Sequence, residues 1–466
     1  MLNAIFSAVE TTQRELLLFS AFWLLIGAVD DFCIDIIWAA RRAYRHFRYY
    51  RKRAPQMAHQ LPLASVDGLL AVFIPVWGES VVIGAMLDRC ASAWSESLCH
   101  HRIYVGCYPN DPWSVAKVMA AAACNHHVRI VLVNHHGPTT KADCLNRLWR
   151  ALLSDEMAEG YKAKAVILHD AEDAVHPAEL QVYSRLLEKA EAIQLPVIPV
   201  RTPGSRWISG HYCDEFAESH GKTMVVREAL GAPLPLAGVA CAIDRTLLGQ
   251  MSLHNDGKPF DEGSLTEDYE LGLRIGAAGG RTLMARILDV HGELVGTRAC
   301  FPDTLNASVR QKTRWLTGIA LAGWDRLGWQ GNLAQKWMLV QDRRPIFAAM
   351  VLIAAYACIV LTAVLMVAET QDLHQPRPLS SLLVTLLWIN ALFLVWRLMI
   401  RAAFVWSLYG PIEALCSAPR SLIANIIAIM AARRACAGYV RHCFGVPLRW
   451  DKTTHLHVPG ALTGKY

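Results

Sequence analysis

The feature that most constrains this chain is a long stretch without a single charged residue, which runs from Ile346 to Ala368. As a helix that rises about 1.5 Å per residue, it covers roughly 35 Å, enough to cross a hydrocarbon layer of about 30 Å with some tilt. We therefore predict a membrane-spanning helix there. By contrast, Pro55 to Arg344 reads as a water-soluble sequence. The chain should thus combine membrane helices with one large domain outside the bilayer.

The pattern of apolar and polar runs divides the chain into four regions. Residues 1–54 form an N-terminal membrane anchor and a basic juxtamembrane segment, and residues 55–344 form a cytoplasmic domain. Residues 345–408 hold transmembrane helices, with a second apolar run from Leu382 to Trp396. Residues 409–466 form cytoplasmic interfacial helices and a tail, in which the apolar segment from Ser421 to Ala432 is too short to span.

Two details of the membrane part stay open at this point. The N-terminal span either begins near Ile5 and ends at Asp30, which we favour, or holds Asp30, Asp31 and Asp35 inside the bilayer against a partner helix. The total is three spans, with four as the alternative.

The distribution of charge gives the orientation. The net charge of +6 is concentrated in two basic segments beside apolar runs, one from Arg41 to Arg53 and one from Arg397 to Arg449. Such clusters lie on the cytoplasmic side, where anionic headgroups attract them. Because they flank membrane segments, we do not expect a nucleic-acid partner. The 13 cysteines contain no C-x-x-C pair, which favours reduced thiols and no zinc site.

The domain between the membrane segments alternates short β-rich runs with helical stretches. The predicted strands are Leu69 to Val76, Arg102 to Cys107, Val128 to Val133 and Ala163 to His169, with helices such as Ser80 to Trp94 between them. This alternation predicts parallel βαβ units in a doubly wound sheet. Ligands of such sheets bind beyond the carboxyl ends of the strands, so chemistry is expected there.

Each of these four strands is followed by an acid or a lysine. Glu79, Asp111 and Lys141 follow the first three, and taken singly such residues are most often helix caps or turn residues. The fourth strand is followed by Asp170, Glu172 and Asp173, and three carboxylates so close together repel each other unless a cation neutralises them. Carboxylates without neighbouring histidine or cysteine ligands favour Mg²⁺ or Mn²⁺ with a substrate phosphate, which Lys141 would also meet.

Two further motifs follow in the chain. Glu267 and Asp268 begin a predicted helix for which Thr266 is the candidate cap. Gln311, Arg314 and Trp315 share one face of a helix just ahead of the main span, a position also typical of a membrane anchor.

The absence of G-x-G-x-x-G and G-x-x-x-x-G-K-[ST] after the first strand argues against a dinucleotide dehydrogenase or a P-loop NTPase. A diphosphate held by carboxylates and a metal points instead to a sugar nucleotide.

These pieces, in this order, resemble the inverting, membrane-bound glycosyltransferases of family 2, which carry D-x-D, T-E-D and Q-x-x-R-W motifs. The resemblance covers roughly Leu69 to Trp315. The run from Ser264 to Arg274 and the ending from Arg449 to His455 are similar to the phage-adsorption protein B subgroup, found in the bacterial inner membrane and associated with an outer-membrane partner. The resemblance implies a GT-A-type doubly wound mixed α/β sheet with flanking transmembrane and interfacial helices.

The resemblance also implies a role for each motif residue. Asp268, beside Glu267, would be the general base, and Asp170 and Glu172, with or without Asp173, would hold Mg²⁺ or Mn²⁺ on the diphosphate. The remaining substrate-binding residues would be Glu79 and Asp111 near the uridine, Lys141 near the diphosphate, and Gln311, Arg314 and Trp315 near the acceptor.

The implied activity is transfer of a sugar from a UDP-sugar to a growing polysaccharide, as in exopolysaccharide synthesis. Two alternatives stay open. One is a lipid-linked monosaccharide transferase, and the other is a non-catalytic membrane receptor or assembly component for phage adsorption.

Overall fold

The structure is a computed structural model that describes residues 2–51 and 56–448. The predicted boundary at residues 54 and 55, the basic residues Lys52 and Arg53, and the ending from residue 449 onward, with its motif Arg449 to His455, lie outside the described residues.

The four predicted strands and the helices between them are confirmed with small shifts of their ends. In chain order the elements are α1 (Leu2–Arg45), β1 (Leu70–Pro75), α2 (Ile83–Ala93), β2 (His101–Cys107), α3 (Pro112–Cys124), β3 (Val128–Leu132), α4 (Lys141–Glu159) and β4 (Ala165–Leu168). Strands β1 and β4 are apolar and buried on both faces, as expected when helices cover both sides of a sheet.

The second half of the domain contributes shorter strands. These elements are α5 (Glu179–Leu186), β5 (Ala192–Gln194), β6 (Val197–Val200), α6 (Ile208–Glu218), α7 (Met224–Ala229), β7 (Cys241–Asp244), α8 (Arg245–Leu253), α9 (Glu267–Ala277), β8 (Thr282–Met284) and β9 (Thr297–Cys300). The helices that follow are α10 (Leu305–Leu316), α11 (Ala322–Leu327), α12 (Leu333–Arg343), α13 (Pro345–Thr370), α14 (Ser381–Tyr409) and α15 (Pro411–Cys443).

Seven strands form one mixed sheet in the order β3-β2-β1-β4-β7-β5-β8, and β6 pairs with β9 in a small second sheet. Strands β1 to β4 are parallel, and β7 runs antiparallel to both β4 and β5. Strand β1 is central to the parallel part, because Leu70 pairs with both His101 and Ala165. The core lies on both faces of this sheet. The carboxyl ends of β1, β2 and β4 therefore meet at one edge, where the motif residues follow.

In the described part of the chain, four helices are long and apolar enough to cross a membrane by length and composition: α1, α13, α14 and α15. Two layers of ion pairs mark the ends of the apolar part of α1. At one end Glu10 pairs with Arg14 at 2.9 Å. At the other end Asp30 pairs with Arg344 at 2.6 Å, just before α13 begins, and a neighbouring aspartate pairs with Arg397. The aspartates thus contact both the start of α13 and the helix α14, and the end of the N-terminal span stays a prediction.

Helix α15 differs from its sequence-based prediction. The apolar segment from residue 421 to 432 is part of one continuous helix of 33 residues, so the expectation of a short helix was wrong. The helix begins with a proline in its first turn, as helices often do, and it continues through an internal proline. It contacts the α/β domain along its length, through Arg420 with Asp214 at 3.1 Å and through the carbonyl oxygen of Ala431 with Thr313. These contacts show that α15 packs against the α/β domain, and its interfacial position stays a prediction.

Candidate functional site

A cavity of about 530 Å³ lies at the carboxyl ends of β1, β2 and β4. Pockets of this size are typical of small-molecule sites. The cavity extends as far as Pro345, the first residue of α13, and so reaches the membrane part of the chain. All predicted site residues except Asp111 line it, and these are Glu79, Lys141, Asp170, Glu172, Asp173, Glu267, Asp268, Gln311, Arg314 and Trp315.

Lys141 and Asp170 form an ion pair on the cavity wall, in which the lysine side chain is the more buried of the two. Lys141 is the first residue of α4, and its Nζ lies 2.5 Å from Oδ1 of Asp170 and 3.0 Å from the carbonyl oxygen of Gly238. Burial alone lowers the pKa of Lys141, but the charges of Asp170 and Glu267 outweigh it and raise the pKa above its ordinary value. The lysine is therefore charged at neutral pH, and its side chain lines the cavity beside Asp170.

The turn after β4 is held in place by hydrogen bonds to the buried side chain of Asp173. Asp173 accepts hydrogen bonds through Oδ2 from Nδ1 of His169 and from the backbone N–H of Asp170, both at 3.0 Å. Burial lowers the pKa of His169, yet the charges of Glu179 and Asp173 reverse this and raise it to about 10. Burial, followed by the charges of the neighbouring acids, raises the pKa of Glu172 well above its ordinary value. The turn thus concentrates negative charge that a cation would neutralise.

Glu267 and Asp268 lie side by side at the start of α9. Burial, and then the charge of Asp268, raises the pKa of Glu267 to about 7, and burial raises the pKa of Asp268 although Lys141 opposes it. Oδ1 of Asp268 accepts a hydrogen bond of 2.8 Å from the backbone N–H of Tyr269. A carboxylate with a raised pKa is a stronger base, which suits proton abstraction.

The predicted shared face of Gln311, Arg314 and Trp315 on α10 turns toward the cavity. Nζ of Lys312 lies 5.0 Å from the centroid of the Trp315 ring and covers part of one face. The ring also sits among Tyr212, Phe216 and Phe301. A half-buried aromatic ring held in this way offers an apolar surface of the kind that sugar rings contact.

Two predictions on this region need correction. Asp111 does not line the cavity, because its carboxylate caps α3 and accepts a hydrogen bond of 2.6 Å from the backbone N–H of Gly78. Thr266 occupies the N-cap position of α9 but makes no side-chain capping hydrogen bond. Instead Ser264 accepts from the backbone N–H of Thr266 and donates to Glu270 at 2.6 Å.

The structure also brings residues to the site that sequence reasoning did not place there. Trp77 and Tyr108 line the cavity at the ends of β1 and β2, with ring centroids 5.3 Å apart. Gly238, ahead of β7, leaves room for Asp268, since a Cβ there would lie 2.5 Å from its Oδ2. The sequence carries a signal for each of these residues. Trp77 and Tyr108 are aromatic residues that follow a strand, and Gly238 is a glycine inside an apolar run. Neither signal is specific for a binding site.

The donor atoms at the turn suit a metal that arrives with a substrate. Within residues 2–51 and 56–448, no group of three or more His, Cys, Asp or Glu side chains is arranged to hold a metal ion. Mg²⁺ needs only one or two carboxylates when phosphates supply the other ligands. The Asp170 side chain is 35% exposed at the cavity, and Oδ1 of Asp173 is buried without a hydrogen-bond partner. These hard oxygen donors fit such an ion.

Comparison with known proteins gives three findings. The model of the family described as "Glycosyltransferase like family 2" matches residues 67–318. Bacteriophage adsorption protein B of Escherichia coli K12 and bacteriophage N4 adsorption protein B of Escherichia coli O157:H7 are each 34% identical over 455 residues, which is 93% of this chain. The chain spans 60% of the length of these curated relatives.

Among solved structures, a mannosyltransferase from Pyrobaculum calidifontis, in complex with GDP-Man and Mn²⁺, is 15% identical with a TM-score of 0.49, and the match covers 94% of this chain and 99% of that one. The S. aureus protein TarS (residues 1–349, with UDP-GlcNAc) is 10% identical with a TM-score of 0.33, covering 67% of this chain and 94% of that one.

Proposed function

Since the chain belongs to glycosyltransferase-like family 2, we propose that it is an inverting, metal-dependent hexosyltransferase that transfers a sugar from a UDP-sugar to a growing polysaccharide, as in exopolysaccharide synthesis. The observation that carries this proposal is the continuity of the cavity, which runs from Lys141 and Asp170 past Asp268 and Trp315 to Pro345. An acceptor site that reaches the first residue of a membrane helix suits a polymer or a lipid better than a free sugar.

The donor nucleotide would bind at the ends of β1 and β2. Trp77 and Tyr108 offer aromatic surface for the base, in place of the contact expected from Asp111, and Glu79 lines the same region. Lys141 would pair with the diphosphate in place of part of its contact with Asp170. A bound Mg²⁺ or Mn²⁺, held by Asp170 with Glu172 or Asp173, would neutralise charge on the leaving diphosphate.

Asp268 would act as the general base, with Glu267 beside it. As the acceptor oxygen forms its bond to the anomeric carbon, the acceptor proton would pass to the carboxylate of Asp268, and the bond between that carbon and the diphosphate oxygen would break. Attack from the face opposite the leaving group inverts the configuration. Gln311 and Arg314 would hold the acceptor hydroxyls while Trp315 packs against a sugar ring.

We place the chain in the bacterial inner membrane with its α/β domain in the cytoplasm. Arg41 of α1 pairs with Glu228 and Arg401 of α14 pairs with Glu218, so these basic residues lie at the same end as that domain, which agrees with the positive-inside rule. A UDP-sugar would also be available there. An outer-membrane partner, which the resemblance to the phage-adsorption protein B subgroup implies, is part of the proposal.

The test is a panel of UDP- and GDP-sugars supplied to the purified full chain with Mn²⁺ and a membrane extract as acceptor, with release of nucleoside diphosphate as the signal. We expect one donor to stand out and Asp268→Asn to reduce its turnover about 100- to 10,000-fold. Turnover of Asp268→Asn near the wild-type rate would refute the assigned base. Release from no donor at all would refute the proposed transferase.

The reach of the cavity to α13 also favours a second candidate, a lipid-linked monosaccharide transferase. Radiolabelled product from that enzyme would enter the organic phase as a single-sugar lipid, whereas polymer would stay in the aqueous phase.

The names of the relatives favour a receptor role without catalysis, and this role predicts that Asp268→Asn still supports phage adsorption. Loss of both turnover and adsorption would link the two.

A further inference from the structure

His169 is a fully buried histidine whose two ring nitrogens each lie close to a carboxylate oxygen, and of these two contacts the one between Nδ1 and Asp173 has hydrogen-bond geometry. It follows β4 directly, and its backbone N–H donates to the carbonyl oxygen of Phe73 at 3.1 Å, which fixes its main chain to β1. Nδ1 lies 3.0 Å from Oδ2 of Asp173, and Nε2 lies 3.1 Å from Oε1 of Glu179. The His169 side chain has no exposed surface, so it cannot touch a substrate.

The contact on the Nδ1 side leads to the cavity in two steps. The oxygen of Asp173 that meets His169 also accepts the backbone N–H of Asp170, so one atom joins the histidine to the turn. The Asp173 side chain is only 1% exposed, whereas that of Asp170 is 35% exposed and faces Lys141. Asp173 therefore transmits the position of the histidine to the acid that a ligand meets.

The contact on the Nε2 side leads away from the cavity. Glu179 is fully buried at the start of α5, where its carboxylate also lies within 3.5 Å of the hydroxyl of Thr297 in β9. This side anchors the ring to the scaffold, because the carboxylate of Glu179 also accepts from the backbone N–H of His176 in the loop before α5. The two nitrogens thus have separable tasks.

We propose that His169 is a positioning residue, which acts through Asp173 to hold the backbone and carboxylate of Asp170 in the geometry that binds the metal–diphosphate group of the donor. This inference rests on the proposed function, since it concerns the donor site of that reaction. Partners that orient metal-binding groups typically change metal affinity about 10- to 100-fold when they are removed.

Two substitutions separate the two tasks. In His169→Asn the side-chain amide can take the place of Nδ1 and still donate to Asp173, whereas in His169→Gln the amide takes the place of Nε2 and reaches Glu179 instead. We expect His169→Gln to weaken Mn²⁺ binding at saturating UDP at least about tenfold and His169→Asn to stay within about threefold of wild type. The measurement is the electron paramagnetic resonance signal of free Mn²⁺ during titration of the full chain in detergent.

The matched control is His176→Gln, which removes a half-buried histidine seven residues further along that is paired with Asp289 at 3.5 Å. It should leave Mn²⁺ binding unchanged. Thermal unfolding without metal is measured for every variant, because a purely structural role would lower the melting temperature of His169→Asn and His169→Gln alike and affect Mn²⁺ binding alike.

Equal Mn²⁺ binding by His169→Gln and wild type, or equal losses in both His169 variants, would overturn the positioning role. If His169→Gln does not fold, Glu179→Gln takes its place: it changes only the partner of Nε2 and should keep Mn²⁺ binding within about threefold of wild type. A loss of about tenfold or more in Glu179→Gln would also overturn the inference. Failure of wild type to bind Mn²⁺ with UDP would instead refute the donor chemistry under the proposed function.

Discussion

Replacing Gly238 by alanine should impair catalysis far more than it impairs folding. Gly238 has a φ of +72°, and an added Cβ would lie 2.5 Å from Oδ2 and 3.2 Å from Cγ of Asp268. Since Cβ contacts under 3.0 Å essentially do not occur, the carboxylate of Asp268 would have to move by at least 0.5 Å. The same glycine accepts the hydrogen bond of Lys141, so a shift of its backbone would disturb that residue too.

The size of the effect follows from two separate costs. A left-handed backbone conformation costs an alanine about 1–2 kcal/mol, which lowers stability only. Displacement of a catalytic group by about 1 Å can lower a rate about 100-fold, so a shift of half that size or more should lower kcat about 10- to 100-fold. KM for the donor should change little if Lys141 keeps its place.

Gly160 provides the matched control. It ends α4 with a φ of +70°, and an added Cβ there would meet no atom within 4 Å. Gly160→Ala therefore carries the backbone strain without the clash, and we expect a similar fall in melting temperature with kcat unchanged. The assay is release of nucleoside diphosphate at saturating donor, with thermal unfolding in parallel. If Gly238→Ala and Gly160→Ala have the same kcat, Gly238 does not set the position of Asp268.

Three further predictions use thermal unfolding in detergent. Asp111→Ala should lower the free energy of unfolding by about 1 kcal/mol through loss of a helix cap and leave the donor KM within about threefold; a large rise in KM would return Asp111 to the binding site. Burial, and then a neighbouring carboxylate, raises the pKa of Glu267 to about 7, so the folded state loses stability as the pH rises from about 4.5 to 7. Glu267→Gln should therefore stabilise the protein at pH 8, by up to about 3 kcal/mol, and much less at pH 5; equal gains at both pH values would contradict this pKa. Arg420→Met removes the ion-pair partner of the buried Asp214 and the nearest of the three arginines around Glu413, and it should cost about 3–5 kcal/mol, whereas Arg433→Met on the exposed side of α15 should cost little; similar losses in both would show that the buried pairs are not what holds α15.

The parts of the fold that the sequence predicts are those fixed by local pattern. Strands β1 to β4 are continuous apolar runs between turn residues, and a parallel sheet then brings the acids after them to one edge. The joint placement of Lys141 and Asp170 in one cavity follows from that topology. The shared face of Gln311 and Trp315 follows from helical periodicity alone.

The parts that could not be predicted depend on contacts between distant segments. Asp111 has the residue type and position of a ligand, but the amide of Gly78, which arrives from another loop, competes for its carboxylate. The role of Gly238 is visible only once α9 places Asp268 against it. The length of α15 was missed because burial of Arg420 against Asp214 makes a charged position acceptable inside an apolar helix.

The two ion-pair layers that close the apolar part of α1 fix how the protein sits in lipid. The separation of 20 residues between Glu10 and Asp30 corresponds to roughly 30 Å of helix, close to the thickness of an average bilayer core. Because Asp30 also binds Trp337 and Arg344 beside the cavity, the α/β domain cannot slide along the membrane normal independently of these helices. A bilayer that is too thick or too thin would therefore be accommodated by helix tilt or by lipid deformation. A mismatch between the apolar length of the helices and the thickness of the bilayer would thus act directly on the acceptor end of the cavity. The acyl-chain length of the lipids would therefore affect the surroundings of the acceptor.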